Sequence, residues 1–473
     1  MSTQNAATHA RPNRNPTPNA SRNENRKFYM AAWRWHFYAG IFVIPFLLIL
    51  ATTGMVMMVF TGQSNQLGHV SDIIPTGQPL PVSQQAKAAL ATLPDGHLDQ
   101  YISPEAPNRP AFFAIRNTGA VIAVAVNPYS GEILNSQDST TTLYAIANDI
   151  HGSLMIGDTG DRIMEAAASL TLLLIITGLW MWLPKAGLKR AFIPEFSAKG
   201  RVFWKSLHAV FGTWVSAILV LFILSGLAWS GIWGDKYIQP WSAFPAEKWD
   251  NVPLSDLNHR SLNHGPLDEV PWGLETTRMP MSGSQAGATG ISQPVTLDTV
   301  AQWANSNGFS GQYKVSLPKG DTGVYTLMAE ARNEDSVDPS NDRTLHIDRY
   351  TGNILADIRY QDYSPVAKLM AWGIGLHKGL AGTWNFVLNF VVLLTVITIC
   401  LSGIVMWWKR RPRGAGRLVA PPMPEDITLW KGAIVTVLGL SLAFPMAGFT
   451  LLGIIALDFV VLSRIPALKR AIS

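Results

Sequence analysis

Four apolar runs constrain this chain more than any other feature of its 473 residues. Segments 37–60, 166–183, 206–233 and 379–408 contain no Asp, Glu, Lys or Arg, and each is close to or above the length of about 20 residues that crosses a bilayer. A fifth apolar stretch, 432–463, holds Pro445 at its middle and Asp458 near its end. As one helix it would be about 48 Å long, too long to stand upright in a membrane. Proline removes a helical hydrogen bond and Gly448 permits a turn, so Phe444–Gly448 predicts a hairpin of two short helices, with one kinked, tilted helix as the alternative. A hydrophobic share of 48% with 17 tryptophans fits an integral membrane protein with sizeable water-exposed parts.

The basic residues orient the runs. Six Lys/Arg precede His36, six lie in 184–205, six in 409–431 and three after residue 463, whereas 61–161 has three against nine acids and 234–378 twelve against seventeen. Both termini and the 184–205 and 409–431 loops are therefore expected in the cytoplasm of a bacterial inner membrane, and the two large insertions in the periplasm. The first 27 residues, rich in Asn, Ala, Pro and Arg, read as a disordered tail rather than a signal peptide.

The chain also repeats itself. His36 and Gly40 recur as His208 and Gly212, and Thr53-Gly54 recurs as Ser225-Gly226 at the same offset; His151 and His377 each precede an apolar segment, one ending Leu179–Trp182 and the other Val405–Trp408. Outside the apolar runs, Val126–Leu134 and Ile347–Leu355 share a strand-turn-strand pattern around Tyr-Ser-Gly and Tyr-Thr-Gly. Val82–Leu93 and Thr296–Asn307 are expected to be helical, Ala111–Val126 and Tyr313–Ala329 to form strands, and 250–295 to be an irregular insertion. Both copies enter the membrane from the same side, so they are parallel repeats about an axis along the membrane normal. Equivalent residues then share a depth: His36 meets His208 near the cytoplasmic face, and His151 meets His377 near the periplasmic face.

Two facing imidazoles at one depth suit a planar iron group that takes a nitrogen from each side, and two such pairs imply two haems. From His36 to Gly54 is about 27 Å of helix, which sets Gly54 and Gly226 at the depth of the outer pair; Gly178 and Gly403 fall at that of the inner one. Glycine lets a helix approach a flat macrocycle, although small residues also serve ordinary helix packing in membranes. Zinc is the other option, but it takes a tetrahedral set and each depth offers two histidines. His259 and His264 read as solvated loop residues, and His9, His69, His97 and His346 have no counterpart in the other copy. Asp458 reads as a cap of the last helix rather than part of a proton path. Trp229, Trp233, Trp241, Trp249 and Trp272 fit either an aromatic binding surface or an interfacial belt. The lone Cys400 excludes an intramolecular disulfide and a thiolate cluster. Without a nucleotide-binding glycine fingerprint, HExxH, Gly-x-Ser-x-Gly or paired-carboxylate site, neither a flavin domain nor hydrolysis has support.

On these motifs, together with the Phe444–Gly448 turn, the chain over about residues 28–463 resembles the PepSY-associated transmembrane family, which includes iron-regulated membrane proteins and ferric-siderophore reductases. The resemblance implies b-type haem held by the bundle histidines, periplasmic PepSY-like domains and reduction of ferric chelates. Some relatives carry a fused flavin reductase domain; none is expected here, and the expected electron donor is reduced flavin, a separate reductase or quinol. The expected architecture is a mainly α membrane protein of about six transmembrane helices with two α+β insertions: tail 1–27, helix 28–60, insertion 61–161, helix 162–183, loop 184–205, helix 206–233, insertion 234–378, helix 379–408, loop 409–431, hairpin 432–463 and tail 464–473. The expected partners are the lipid bilayer, a ferric siderophore or similar chelate, and the electron donor, with no nucleic acid. The alternatives are a ligand-sensing or peptidase-regulating membrane protein, and a siderophore or haem transporter without redox activity.

Overall fold

The computed structural model of the chain describes residues 18–63, 70, 72–241, 249, 251–263, 270–309, 311–329, 332–333, 336–412, 418–421 and 431–457. The first helix, α1 (Pro18–Gln63), opens on a proline, whose missing N–H is no loss in a first turn. It therefore takes in residues 18–27, which composition had assigned to a disordered tail; residues 1–17 lie outside the described set. After α1 come α2 (Val82–Ala91), strands β1 (His97–Ile102), β2 (Ala111–Asn117), β3 (Ala120–Val126) and β4 (Ile133–Asp138), then helices α3 (Leu143–Ser153), α4 (Gly157–Phe192) and α5 (Gly200–Leu227). α4 starts before residue 162 and runs past residue 183, breaking locally at Gly187, whose φ of 67° suits glycine.

The second copy follows the same order. A short pair, β5 (Leu254–Asn258) and β6 (Arg278–Pro280), lies in the insertion that sequence alone left irregular. Then come α6 (Leu297–Ser306), β7 (Tyr313–Ser316), β8 (Val324–Ala329), the two-residue strands β9 (Arg332–Asn333) and β10 (Ser336–Val337), β11 (Arg343–Asp348), β12 (Ile354–Arg359), α7 (Pro365–Lys378) and α8 (Thr383–Arg410). Finally α9 (Lys431–Ala443) and α10 (Pro445–Leu457) meet at Phe444-Pro445 and pack on each other, with α10 against α4. Asp458 and the tail lie outside the described residues.

Among the described residues, four helices are long and apolar enough to cross a membrane: Arg26–Phe60, Gly157–Gly187, Gly200–Leu227 and Thr383–Arg410. α1 and α5 each pack against both α4 and α8, so the four close into a bundle. Its interior has one apolar cluster around Val43, Leu170, Leu173 and Ile223 and another around Ala51, Val215, Val392 and Cys400. Polar groups are matched where the loop after α5 meets α4. There the buried Glu165 carboxylate accepts the backbone N–H groups of Ile232 and Trp233 at 3.1 and 2.9 Å, and Asp161 accepts that of Gly231 at 3.0 Å.

The two insertions do not form separate domains. Their strands make one eight-stranded sheet in the order β12-β11-β8-β7-β1-β2-β3-β4, joined at the centre by antiparallel pairing of Gln100, Tyr101 and Ile102 with Ser316, Val315 and Lys314. Pairing β1 with β7 removes one exposed edge from each copy. It also brings Tyr101 against Tyr313, ring centres 6.3 Å apart. α2 and α6 cover one face over Phe113, Ile115, Val315, Leu327 and Leu345, and Thr296 caps α6 by accepting the N–H of Thr299.

On the opposite face of β8, β11 and β12, Trp249, Leu262, Val270, Leu274 and Met279 build a second core with Met328 and Ile358. Here the structure corrects two residues. His259, expected in solvent, is fully buried; so is His346, which sequence reasoning set aside. His259 Nδ1–H donates to the Thr277 carbonyl at 2.7 Å, since a carbonyl only accepts. Its Nε2 therefore accepts from His346 Nε2–H at 2.9 Å, and Thr326 Oγ1–H donates to His346 Nδ1 at 3.0 Å. Every ring nitrogen is satisfied in the neutral state, and the chain of bonds ties the insertion to the sheet.

Burial pushes His259 down to about 4 and His346 well below the ordinary histidine value near 6.5. Between those values the unfolded chain binds more protons than the folded one, so stability is complete above pH 6.5 and falls as pH drops toward 4. For His259 the loss is on the order of 3 kcal/mol. Asp342, pushed up to about 7 by burial, acts in the opposite sense. Thermal unfolding of wild type and of a His259→Gln/His346→Gln variant isolates the histidine contribution: wild type should lose stability more steeply between pH 6.5 and 4, and equal slopes would refute the assignment.

Candidate functional site

The bundle brings the four repeated histidines together in two pairs. His36 on α1 faces His208 on α5 with ring centres 6.3 Å apart and ring planes at 80°; His151 on α3 faces His377 on α7 at 6.4 Å and 88°. All four lie among the helices and are half-buried.

Local structure holds each outer histidine at a helix end. α3 stops three residues after His151, at Leu154 in the left-handed region (φ 54°), whose N–H returns to the carbonyls of Asp149 and Ile150. α7 stops at Gly379 (φ 77°), two residues after His377. Two buried asparagines of α8 grip that end. Asn385 and Asn389 donate to the Leu376 carbonyl at 3.1 and 2.7 Å, and Asn389 also to that of His377 at 3.1 Å.

Each ring is backed by a glycine on another helix. A Cβ added at Gly178 would stand 3.2 Å from His36, at Gly226 3.2 Å from His377, at Gly403 3.5 Å from His208 and at Gly54 3.7 Å from His151. The repeated Gly40 and Gly212 have nothing within 4 Å of such a Cβ. They belong to the repeat without backing a ring.

Sequence reasoning noted the Thr53-Gly54 and Ser225-Gly226 steps but gave no role to the residue before any of those four glycines. Thr177 Oγ1 stands 3.0 Å from His36 Nδ1, Ser402 Oγ 3.1 Å from His208 Nδ1, Thr53 Oγ1 2.9 Å from His151 Nδ1 and Ser225 Oγ 3.0 Å from His377 Nδ1. The same oxygens reach carbonyls of their own helices: Thr177 to Leu173 at 2.6 Å, Ser402 to Ile399 at 2.8 Å, Thr53 to Ile49 at 2.7 Å and Ser225 to Leu221 at 2.6 Å. A hydroxyl has one proton and a carbonyl none to give, so the proton goes to the carbonyl and the oxygen accepts Nδ1–H from the histidine. All four imidazoles are thereby held in the Nδ1–H tautomer, with the Nε2 lone pair left over. The signal was present in the sequence as a fourfold Ser/Thr-Gly step.

The spacing of the pairs is chemically specific. The hydrogen-bonded rings of His259 and His346 have centres 4.9 Å apart, whereas the bundle pairs stand at 6.3 and 6.4 Å, too far for a direct bond. Two metal–nitrogen bonds of about 2 Å in line, with each ring centre about 1.2 Å behind its nitrogen, put imidazole centres about 6.4 Å apart. Among the described residues no three His, Cys, Asp or Glu side chains converge on one point. The donor set is thus two neutral imidazoles, matching a planar iron group that brings its other four ligands with it.

Three of the remaining tryptophans, Trp233, Trp249 and Trp272, pack into the framework. Trp233 stacks on Phe444 and donates to Ala443, and Trp272 donates to Ala228. Trp249 packs beside His259 and His346, Trp229 lies under the Lys378 ammonium, and Trp241 is exposed, as is His97. His9, His69 and His264 lie outside the described residues. No curated protein sequence matches the chain. Residues 33–410 match the family model described as the PepSY-associated TM region, and the match takes in all four histidines, their glycines and the sheet between them. The chain belongs to the PepSY-associated transmembrane family.

Proposed function

We propose that this chain is a dihaem electron-transfer protein of the bacterial inner membrane that reduces ferric siderophores, or similar ferric chelates, at the periplasmic face. The observation that carries this reading is the pair of facing imidazoles, 6.3 and 6.4 Å between ring centres, repeated at two levels of one bundle. His36 and His208 would hold the inner b-type haem, and His151 and His377 the outer one. When bound, these groups supply reversible one-electron chemistry between ferric and ferrous iron.

The protein's own residues do the rest. The four hydroxyls fix the tautomer, and Gly54, Gly178, Gly226 and Gly403 leave space beside the rings. The apolar faces of α1, α4, α5 and α8 keep water from the path. From His36 to Thr53, the hydroxyl that holds His151, α1 rises about 26 Å, so the two pairs lie near opposite faces of a hydrocarbon core of about 30 Å. A six-helix arrangement, with α9 and α10 as a membrane hairpin, returns the basic C-terminus to the cytoplasm along with the other basic loops. One electron delivered to a ferric chelate yields ferrous iron, which hard oxygen donors hold less well, and the metal is released. The electrons come from a cytoplasmic reduced flavin, a reductase or membrane quinol.

Purified protein should show a Soret band that shifts on dithionite reduction; a missing or unresponsive band would refute the redox reading. His36→Ala and His151→Ala should each remove one haem and leave the other, and loss of the same haem from both variants would break the pairing by depth. Gly226→Val, whose side chain would press on His377, should remove the outer haem with helix content unchanged. Gly40→Ala should retain both, as measured by haem-to-protein ratio and circular dichroism.

A further inference from the structure

The hydroxyl that precedes each glycine has a consequence beyond holding a ring in place. An imidazole that donates Nδ1–H to an acceptor carries more negative charge and is a more basic ligand. A more basic ligand favours the more positive oxidation state of the metal it binds, so this bond is a lever on reduction potential. The lever is built four times, from Thr53, Thr177, Ser225 and Ser402, each on a helix other than the one bearing its histidine. In each case the hydroxyl proton is committed to a helix carbonyl, which polarises the oxygen and strengthens it as an acceptor.

The four positions differ in one respect. Ser402 donates to the carbonyl three residues back, that of Ile399, while the shortest such bond of each of the other three hydroxyls goes four residues back. At His208 that same Ile399 carbonyl also accepts from Nδ1 at 3.0 Å, beside Ser402 Oγ at 3.1 Å. The other three rings have the same kind of backing from the carbonyl three residues before the hydroxyl, Leu174 for His36, Leu50 for His151 and Phe222 for His377, so each Nδ1–H has a backbone acceptor beside its hydroxyl.

We propose that Thr53, Thr177, Ser225 and Ser402 are positioning residues that set the reduction potential of the two iron sites, each by accepting the Nδ1–H of one bundle histidine. This rests on the dihaem reading and adds to it a role for four residues that touch neither iron nor substrate. Removing an acceptor should raise the potential of the site it serves and leave the other site alone.

The test is a spectroelectrochemical titration of the full-length protein in detergent or nanodiscs, comparing wild type with Thr177→Val, Thr177→Ser and Ser402→Ala. Thr177→Val should keep both haems and move one of the two midpoint potentials upward. Thr177→Ser, which restores the acceptor, should return it to the wild-type value, and Ser402→Ala, which removes the hydroxyl that holds His208, should move the same midpoint upward. Haem retained in all variants with unchanged midpoints overturns the proposal, as does a Thr177→Val shift that Thr177→Ser fails to rescue. Should Thr177→Val lose the inner haem altogether, Thr177→Ser must retain it at the wild-type potential; a serine variant as defective as the valine one overturns the proposal. Wild-type protein with no haem refutes the dihaem reading itself, a result that cannot be mistaken for unchanged midpoints.

Discussion

The bond from a histidine Nδ1 to a hydroxyl on another helix is the interaction on which the rest of the site depends. It ties α1 to α4 through His36 and Thr177, α5 to α8 through His208 and Ser402, α3 to α1 through His151 and Thr53, and α7 to α5 through His377 and Ser225. Each link fixes a tautomer, turns a ring and joins two helices at once. In an apolar bundle, where helix association gains little from the hydrophobic effect, such polar links between helices are a main source of specificity. The glycine next to each hydroxyl is part of the same device: a Cβ would crowd the ring at Gly178 and Gly226 and would lie in contact with it at Gly403 and Gly54.

The internal repeat explains why there are two pairs rather than four unrelated histidines. Each copy supplies one histidine from its first long helix and one from the short helix that follows its last strand. Outside the bundle the copies are joined again, since β1 and β7 pair at the centre of a single sheet. The symmetry is incomplete. In the second copy Trp249, Leu262, Val270, Leu274 and Met279 cover one face of its half of the sheet, beside the His259–His346 bond.

Much of this was legible in advance. The four apolar runs, the histidines at matched offsets and the glycines at matched depths all follow from sequence periodicity and from the length of a helix that spans a bilayer. The helices at Val82–Ala91 and Leu297–Ser306 and the strands beside them were also readable from local pattern. What was misread shares one physical cause. His259 sits in a loop-like run of Asn, Arg and Ser and looks solvated, yet its partner His346 is 87 residues away on β11. Nothing local marks that contact. The fused sheet was missed for the same reason, because the pairing of Tyr101 with Val315 depends on how the two copies dock. The four hydroxyls were overlooked although each stands next to a glycine already singled out, since a Ser or Thr in an apolar helix usually returns its bond to its own backbone. Here it does that and accepts from a histidine as well.

The sequence by itself determined the membrane character, the number of long apolar helices, the duplication and the identity of the paired histidines. These are set by composition, by the rise per residue of a helix and by counting along one chain. Only the tertiary structure decided how far apart the paired rings stand, which nitrogen each one turns inward, that two insertions make one sheet, and that two supposedly incidental histidines are a buried pair. Those are relations between segments distant in the chain, governed by docking geometry and by the need to satisfy every buried donor and acceptor. No local pattern of residues encodes them.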